Sequence, residues 1–285
     1  MTAQLGNIVF IIWRESVEAL LVVGILNAWL QRQTDPLTFL RARRFLWSGV
    51  AAGLAFAVAF AALLIVFGDA LPEEAQQAYQ TATVLIAAAL IVQMVFWMRK
   101  HGRDLKRNLE NALGAAAERS SWWGVFVLAL IAVAREGSET AVFLYGTLVS
   151  GAGASFAADA LAISAGFAAA IASYWALQVG GRFVSWRVFF RATEIMLLFL
   201  AASLVLTGVD NLADLGVLPD AVGHLTAKVW DSSALLSDGG PIGGLISALT
   251  GYRARPALLE VLTYAAYWIL VLWLLSFSRP VRKAA

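Results

Sequence analysis

The pattern Arg-Glu-x-x-Glu occurs twice in this chain, each time inside a long apolar run. The first copy is Trp13-Arg14-Glu15-Ser16-Val17-Glu18, followed by Ala19-Leu20-Leu21-Val22-Val23. The second is Ala134-Arg135-Glu136-Gly137-Ser138-Glu139, set between residues 125–131 and 141–144. Charges survive in such runs only where something requires them, because a bilayer or a dry core penalises each one. Any fold for this chain must bury apolar helices and still find a use for these six charges.

Composition decides between bilayer and core. The chain has 285 residues, of which 60% are hydrophobic and 14% charged. A soluble domain carries about 25% charged residues. The expectation is an all-α polytopic membrane protein. The slight basic excess falls in particular connections, which signals orientation and not nucleic-acid binding. There is no cysteine, so disulfides, thiolate metal sites and thiol catalysis are excluded. Residues 1–7 hold no basic cluster, and the first apolar run contains a charged motif. That run therefore reads as a retained span and not as a cleaved signal peptide.

Seven runs are long enough to cross a bilayer: 8–30, 45–67, 81–98, 123–149, 156–179, 188–209 and 261–277. The connection after the first holds Arg32, Arg41, Arg43 and Arg44, and the one after the third holds Arg99, Lys100, Arg103, Lys106, Arg107 and Arg119. The connection after the fifth holds Arg182 and Arg187, and the tail holds Arg279, Arg282 and Lys283. The alternate connections are poor in Lys and Arg; the one from 69 to 80 carries only Asp69, Glu73 and Glu74 as charges. Basic connections face the cytoplasm, which puts the N-terminus outside and the C-terminus inside a cytoplasmic (inner) membrane. Trp29, Trp47, Trp97, Trp122 and Trp186 all fall at expected cytoplasmic helix ends, where an amphipathic ring acts as an anchor.

The first six runs read as a duplication. Gly49-x-x-x-Gly53-Leu54-Ala55-Phe56-Ala57 in the second matches Ser164-Ala165-Gly166-Phe167-Ala168 in the fifth, and Ala82-Thr83 matches Ala192-Thr193. A single permease domain over 1–285 is expected, with one repeat over about 5–98 and another over about 122–210. An outer connection, 211–260, and a seventh helix, 261–278, complete it. One repeat starts outside and the other inside, so they are inverted, a common plan in transporters. Within the outer connection, 245–249 reads as a short interfacial or re-entrant helix or as a packed loop.

Helical geometry places the charges. At about 100° per residue, Glu15 and Glu18 share a face, and Arg14 lies one turn from Glu18. Arg135, Glu136 and Glu139 repeat the arrangement. Each such charge costs about 2.5–3.5 kcal/mol to insert, so six cost roughly 15–20 kcal/mol before pairing. Two arginines cannot neutralise four carboxylates. The two charges left over call for protons or a cation, and a multivalent cation serves best. Carboxylate oxygens are hard donors, and no apolar run contains a histidine, which disfavours soft metals. The expected metal residues are Glu15, Glu18, Glu136 and Glu139, with Arg14 and Arg135 holding them in place.

With these motifs the chain resembles the oxidase-dependent iron permease family, which includes the fungal high-affinity iron permease and the bacterial Efe-type permease. Arg135-Glu136-Gly137-Ser138-Glu139 has the family's Arg-Glu-Gly-x-Glu form, and the first copy has Ser16 in place of the glycine. Met94-Val95-Phe96-Trp97-Met98, Trp230-Asp231-Ser232-Ser233 and Gly251-Tyr252-x-Ala254-x-Pro256 are further echoes. The resemblance implies iron uptake through Glu15, Glu18, Glu136 and Glu139, with iron as substrate and no permanently bound cofactor. It also implies a periplasmic iron-binding protein and a haem peroxidase or other oxidase as partners.

Glu194 reads either as lining the inner exit or as a partner of Arg191. Asp69, Glu73, Glu74 and Asp231 read as a solvated acidic surface or as cation collectors at the outer mouth. Gln93 and Thr83 read as interhelical glue. His101 and His224 fall in opposite connections and cannot share a site. Three rivals accompany the iron reading, in which the oxidation state of the iron is left open: a permease for another cation such as lead, manganese or ferrous iron, a membrane di-iron carboxylate enzyme, and a proton-coupled carrier. Di-iron bundles use Glu-x-x-His, which none of the seven runs contains.

Overall fold

The structure is a computed structural model that describes residues 2–31, 36–101, 122–149, 155–179, 186–216, 225, 227–238 and 240–277. Arg32, Arg103, Lys106, Arg107, Arg119, Arg182, His224, Arg279, Arg282 and Lys283 lie outside the described residues. Among the described residues there are eight helices and no strand. They are α1 (Thr2–Leu30), α2 (Pro36–Asp69), α3 (Glu73–His101), α4 (Trp123–Val149), α5 (Phe156–Val179), α6 (Trp186–Asp214), α7 (Pro241–Thr250) and α8 (Leu258–Phe277).

Five of these are long and apolar enough to cross a membrane: α2, α3, α5, α6 and α8. The other two long helices, α1 and α4, each hold three charged residues near the middle. The chain is a multi-pass membrane protein. Its apolar exterior agrees, since α2 exposes Leu54, Phe56, Val58, Leu63 and Val66, and α8 exposes Ile269, Leu270, Leu272 and Trp273. Such a surface has no place in water but suits lipid.

Several helices run past the apolar segments that mark them. α2 starts at Pro36 and not near 45, so Arg41, Arg43 and Arg44 lie on its first turns and not in a loop. Pro at the first helical position favours that start. Trp47 consequently lies eleven residues inside α2 and not at a helix end. α3 likewise begins at Glu73 and not near 81. Hydropathy reports the thickness of the bilayer, whereas the backbone ladder continues until a turn signal stops it.

Two apolar clusters bracket the charged motifs. One joins Phe10 and Ile11 of α1, Val84, Ala88 and Ile91 of α3, Phe143 of α4, Leu197 to Leu204 of α6 and Tyr267 of α8. The other joins Val22, Leu26 and Leu30 of α1 to Leu46 of α2 and Val125 and Ala129 of α4. α1 passes from the first cluster to the second, and α4 passes from the second to the first. The two helices therefore run antiparallel, with Arg14–Glu18 and Arg135–Glu139 in the layer between the clusters.

α2 packs mainly on α4, α1 on α5 and α3 on α6. Glycine allows two of these approaches. A Cβ at Gly53 would lie 2.8 Å from Val133 Cβ and 3.1 Å from the Leu130 carbonyl oxygen. A Cβ at Gly166 would lie 2.9 Å from Ile12 Cβ and 2.8 Å from the Val9 carbonyl oxygen. Each glycine thus faces the residues two and five positions before the motif arginine of the helix it packs on.

The connection between α6 and α8 is folded. Residues 245–249 belong to α7, which lies against α1 and α6; Asn7 donates to the Ala248 carbonyl at 3.4 Å and Ser203 to that of Ser247 at 3.4 Å. Two segments then pair: Ser232 N–H donates to Ala254 O at 2.8 Å, Val229 N–H to Pro256 O at 3.0 Å, and an isolated antiparallel bridge joins Lys228 to Ala257. The Ser232 and Tyr252 hydroxyls lie 2.7 Å apart. The two aromatic motifs noted in this connection are therefore one packed unit. Arg253 ties it to the helix ends through Asp210 of α6 and Glu260 of α8, both at 3.3 Å.

Candidate metal site

Arg14 lies twelve residues past the first residue of α1, and Arg135 twelve past that of α4. Both motifs are thus central in helices long enough to span a bilayer. The antiparallel crossing brings three carboxylates together. Oxygens of Glu15, Glu18 and Glu136 all lie within 4.8 Å of one another. Glu15 is 2% exposed and Glu136 8%, so water does not screen them.

Arg14 is the cation that holds this group. Its Nη1 donates to Glu15 Oε1 at 2.6 Å, and its Nη2 pairs with Glu18. The same two nitrogens also donate to sulfur: Nη1 to Met94 Sδ at 2.9 Å and Nη2 to Met98 Sδ at 3.3 Å. Arg14 is 1% exposed.

Glu139 is not one of the clustered three. It accepts from Arg135 Nε at 2.9 Å, and the Arg135 guanidinium lies 4.4 Å from the centre of the Trp97 ring. Glu139 and Arg135 line a cavity of about 220 Å³ with Leu90, Gln93, Met94 and Trp97. That volume holds several waters or a partly hydrated ion. The Oε2 atoms of Glu15, Glu136 and Glu139 are buried and accept no hydrogen bond from the described residues. A buried acceptor left in this state costs about 1–3 kcal/mol, more when charged. These oxygens are free to take a cation.

Trp97, read from sequence as a membrane anchor, instead stacks on Arg135. Gln93, read as glue, lines the cavity. Met94 and Met98 were visible only as part of an apolar motif. Their signal was the i, i+4 spacing, which puts both thioethers on one face of α3. Glu194 forms an ion pair with Arg99 of α3 at 3.0 Å, and Arg14, Arg191 and Glu18 also act on it electrostatically. Asp69 and Glu73 are exposed at the α2–α3 turn, and the Glu74 side chain lies outside the described ones. Asp231 is exposed and bound to Arg255 at 2.9 Å. Hydrogen bonds from the Ser233 hydroxyl and N–H, and then from Arg255, hold its carboxyl down at about 2.

Residues 6–278 match the Iron permease FTR1 family. The chain belongs to that family. It is 29% identical over 277 residues to the ferrous iron permease EfeU of Shigella sonnei (strain Ss046), covering 96% of each chain. Against the ferrous iron permease EfeU of Yersinia pestis it is 28% identical over 279 residues, covering 96% of this chain and 94% of the other. No solved structure matches it. Family membership points to a transporter and not to an enzyme.

Proposed function

We propose that this protein imports iron across the cytoplasmic membrane through the site where α1 and α4 cross. The observation that carries the reading is the convergence of Glu15, Glu18 and Glu136 within 4.8 Å, with buried oxygens left without donors. With all groups ionised, Glu15, Glu18, Glu136 and Glu139 against Arg14 and Arg135 leave two negative charges. A divalent cation matches that balance, and the relatives are ferrous iron permeases by name. Glu139, freed from Arg135, completes the ligand set from the neighbouring cavity.

In this reading seven helices span the bilayer, the N-terminus is outside and the C-terminus is cytoplasmic. α1–α3 and α4–α6 are inverted halves. Three features support the halves: the antiparallel crossing, the pairing of α1 with α5 and α4 with α2, and the matched register of Gly53 and Gly166 on the opposite motif helix. Inverted halves allow a central site to open to each side in turn. Iron leaves inward past Glu194, once its pair with Arg99 opens. A periplasmic iron-binding protein and a haem peroxidase or other oxidase deliver the iron, as the resemblance to bacterial members implies.

The test is radiolabelled iron uptake into vesicles by wild type and by Glu15→Gln, Glu18→Gln, Glu136→Gln and Glu139→Gln. Each variant is expected to insert normally and to lose most uptake. Undiminished flux in all four overturns the site. Replacing iron with manganese or lead in the same vesicles separates the cation rivals.

A further inference from the structure

We infer that Met94 and Met98 are metal ligands, and that Arg14 holds their place as an internal cation until the substrate arrives. The inference rests on the iron-permease reading and adds to it a soft half of the donor set. The guanidinium of Arg14 sits in a cage of four groups. Each terminal nitrogen contacts one carboxylate and one sulfur: Glu15 and Met94 on Nη1, Glu18 and Met98 on Nη2. Because Met94 Sδ and Glu15 Oε1 share one nitrogen at 2.9 and 2.6 Å, the sulfur is itself at the edge of the carboxylate cluster. An ion entering this cage meets two oxygens and two sulfurs.

Packing alone does not account for the methionines. Met is a flexible filler of apolar gaps, but these two thioethers point at a buried cation and not into an apolar gap. As hydrogen-bond acceptors for arginine they are poor, since thioether sulfur accepts weakly. Their lone pairs suit a transition ion better. The chain contains four methionines, and two of them meet at this one side chain. Their spacing of one helical turn on α3 lets a rigid element present both sulfurs together.

The consequence is selectivity. Carboxylates alone favour hard ions such as magnesium, calcium, manganese or ferric iron. Thioether donors shift preference toward softer divalent ions, ferrous iron among them. Arg14 has only to swing clear of the two sulfurs for the ion to take its place, while Glu15 and Glu18 stay where they are.

Because the chain has no cysteine, any sulfur bound to iron must be a methionine. X-ray absorption on the full-length protein, reconstituted and loaded anaerobically with ferrous iron, therefore gives a direct reading. Wild type is expected to show a sulfur shell beside the oxygen shell. The double variant Met94→Leu/Met98→Leu, which conserves volume and leaves the fold intact, is expected to bind iron through oxygen alone. Its ferrous affinity is expected to fall by at least about tenfold, the loss that removing even an outer-shell partner costs a metal site, while its manganese affinity falls less, since manganese prefers oxygen donors. An oxygen-only shell in iron-loaded wild type overturns this inference and leaves the glutamate site standing. An equal loss for ferrous iron and manganese in the variant also overturns it, since that is the mark of a purely structural role. Failure of wild type to bind iron at all removes the iron-permease reading itself.

Discussion

The two copies of Arg-Glu-x-x-Glu have the same spacing and central position, yet their arginines live in different surroundings. Arg14 is sealed in, bound to two carboxylates and two thioethers. Arg135 is 38% exposed, pairs with one carboxylate and lies on the face of Trp97 beside a cavity. Sequence repetition has given one closed copy and one open copy. A single central helix, α3, makes the difference: it turns Met94 and Met98 toward Arg14 and Trp97 toward Arg135.

The difference is tested most strongly by deleting each arginine in turn. Arg14→Ala leaves Glu15 and Glu18 buried without their counter-charge, and breaking a buried pair in this way costs about 3–5 kcal/mol. Arg135→Ala removes a partly solvated pair, for which about 1 kcal/mol or less is expected. Thermal unfolding of the two variants in the same detergent measures the gap. Equal losses would show that the copies are energetically equivalent and that the closed–open distinction is only geometric.

The proposed symmetry of the two halves is tested by the glycines. Gly53→Ala and Gly166→Ala each force a Cβ to within 3 Å of a neighbouring helix at equivalent places. Overpacking of this kind costs about 1–3 kcal/mol. Similar losses are expected from both, because the contacts lie in matched register. A large loss at one and none at the other breaks the equivalence of the halves.

Much of this was legible beforehand. The α4 and α5 bounds coincide with the apolar runs read from sequence, because both runs begin and end beside polar or glycine-rich connections. The starts of α2 and α3 were not legible, since Arg41–Arg44 and Glu73–Gln80 are polar but still helical. Three of the four glutamates proposed to bind metal converge as periodicity on two facing helices suggests. Glu139 stands apart because its guanidinium partner is pulled toward Trp97, a contact made 38 residues away along the chain. The pairing of Glu194 with Arg99 was missed for the same reason: periodicity shows which residues share a helix face, not which helix will lie opposite.

The smallest effect concerns what holds the open copy open. A guanidinium 4.4 Å above an indole ring gains about 0.5–1 kcal/mol where it is partly exposed. A double-mutant cycle of Trp97→Leu with Arg135→Gln, read by thermal unfolding, is expected to return a coupling of that size. Zero coupling would mean that Trp97 merely neighbours the arginine and that Glu139 alone restrains it. The modest value is itself informative. On the proposed transport reading, a side chain that releases Glu139 to the substrate cannot be held by several kcal/mol, whereas Arg14, which balances two buried carboxylates until the substrate arrives, can. On that reading the same residue type serves as latch at one motif and as ballast at the other.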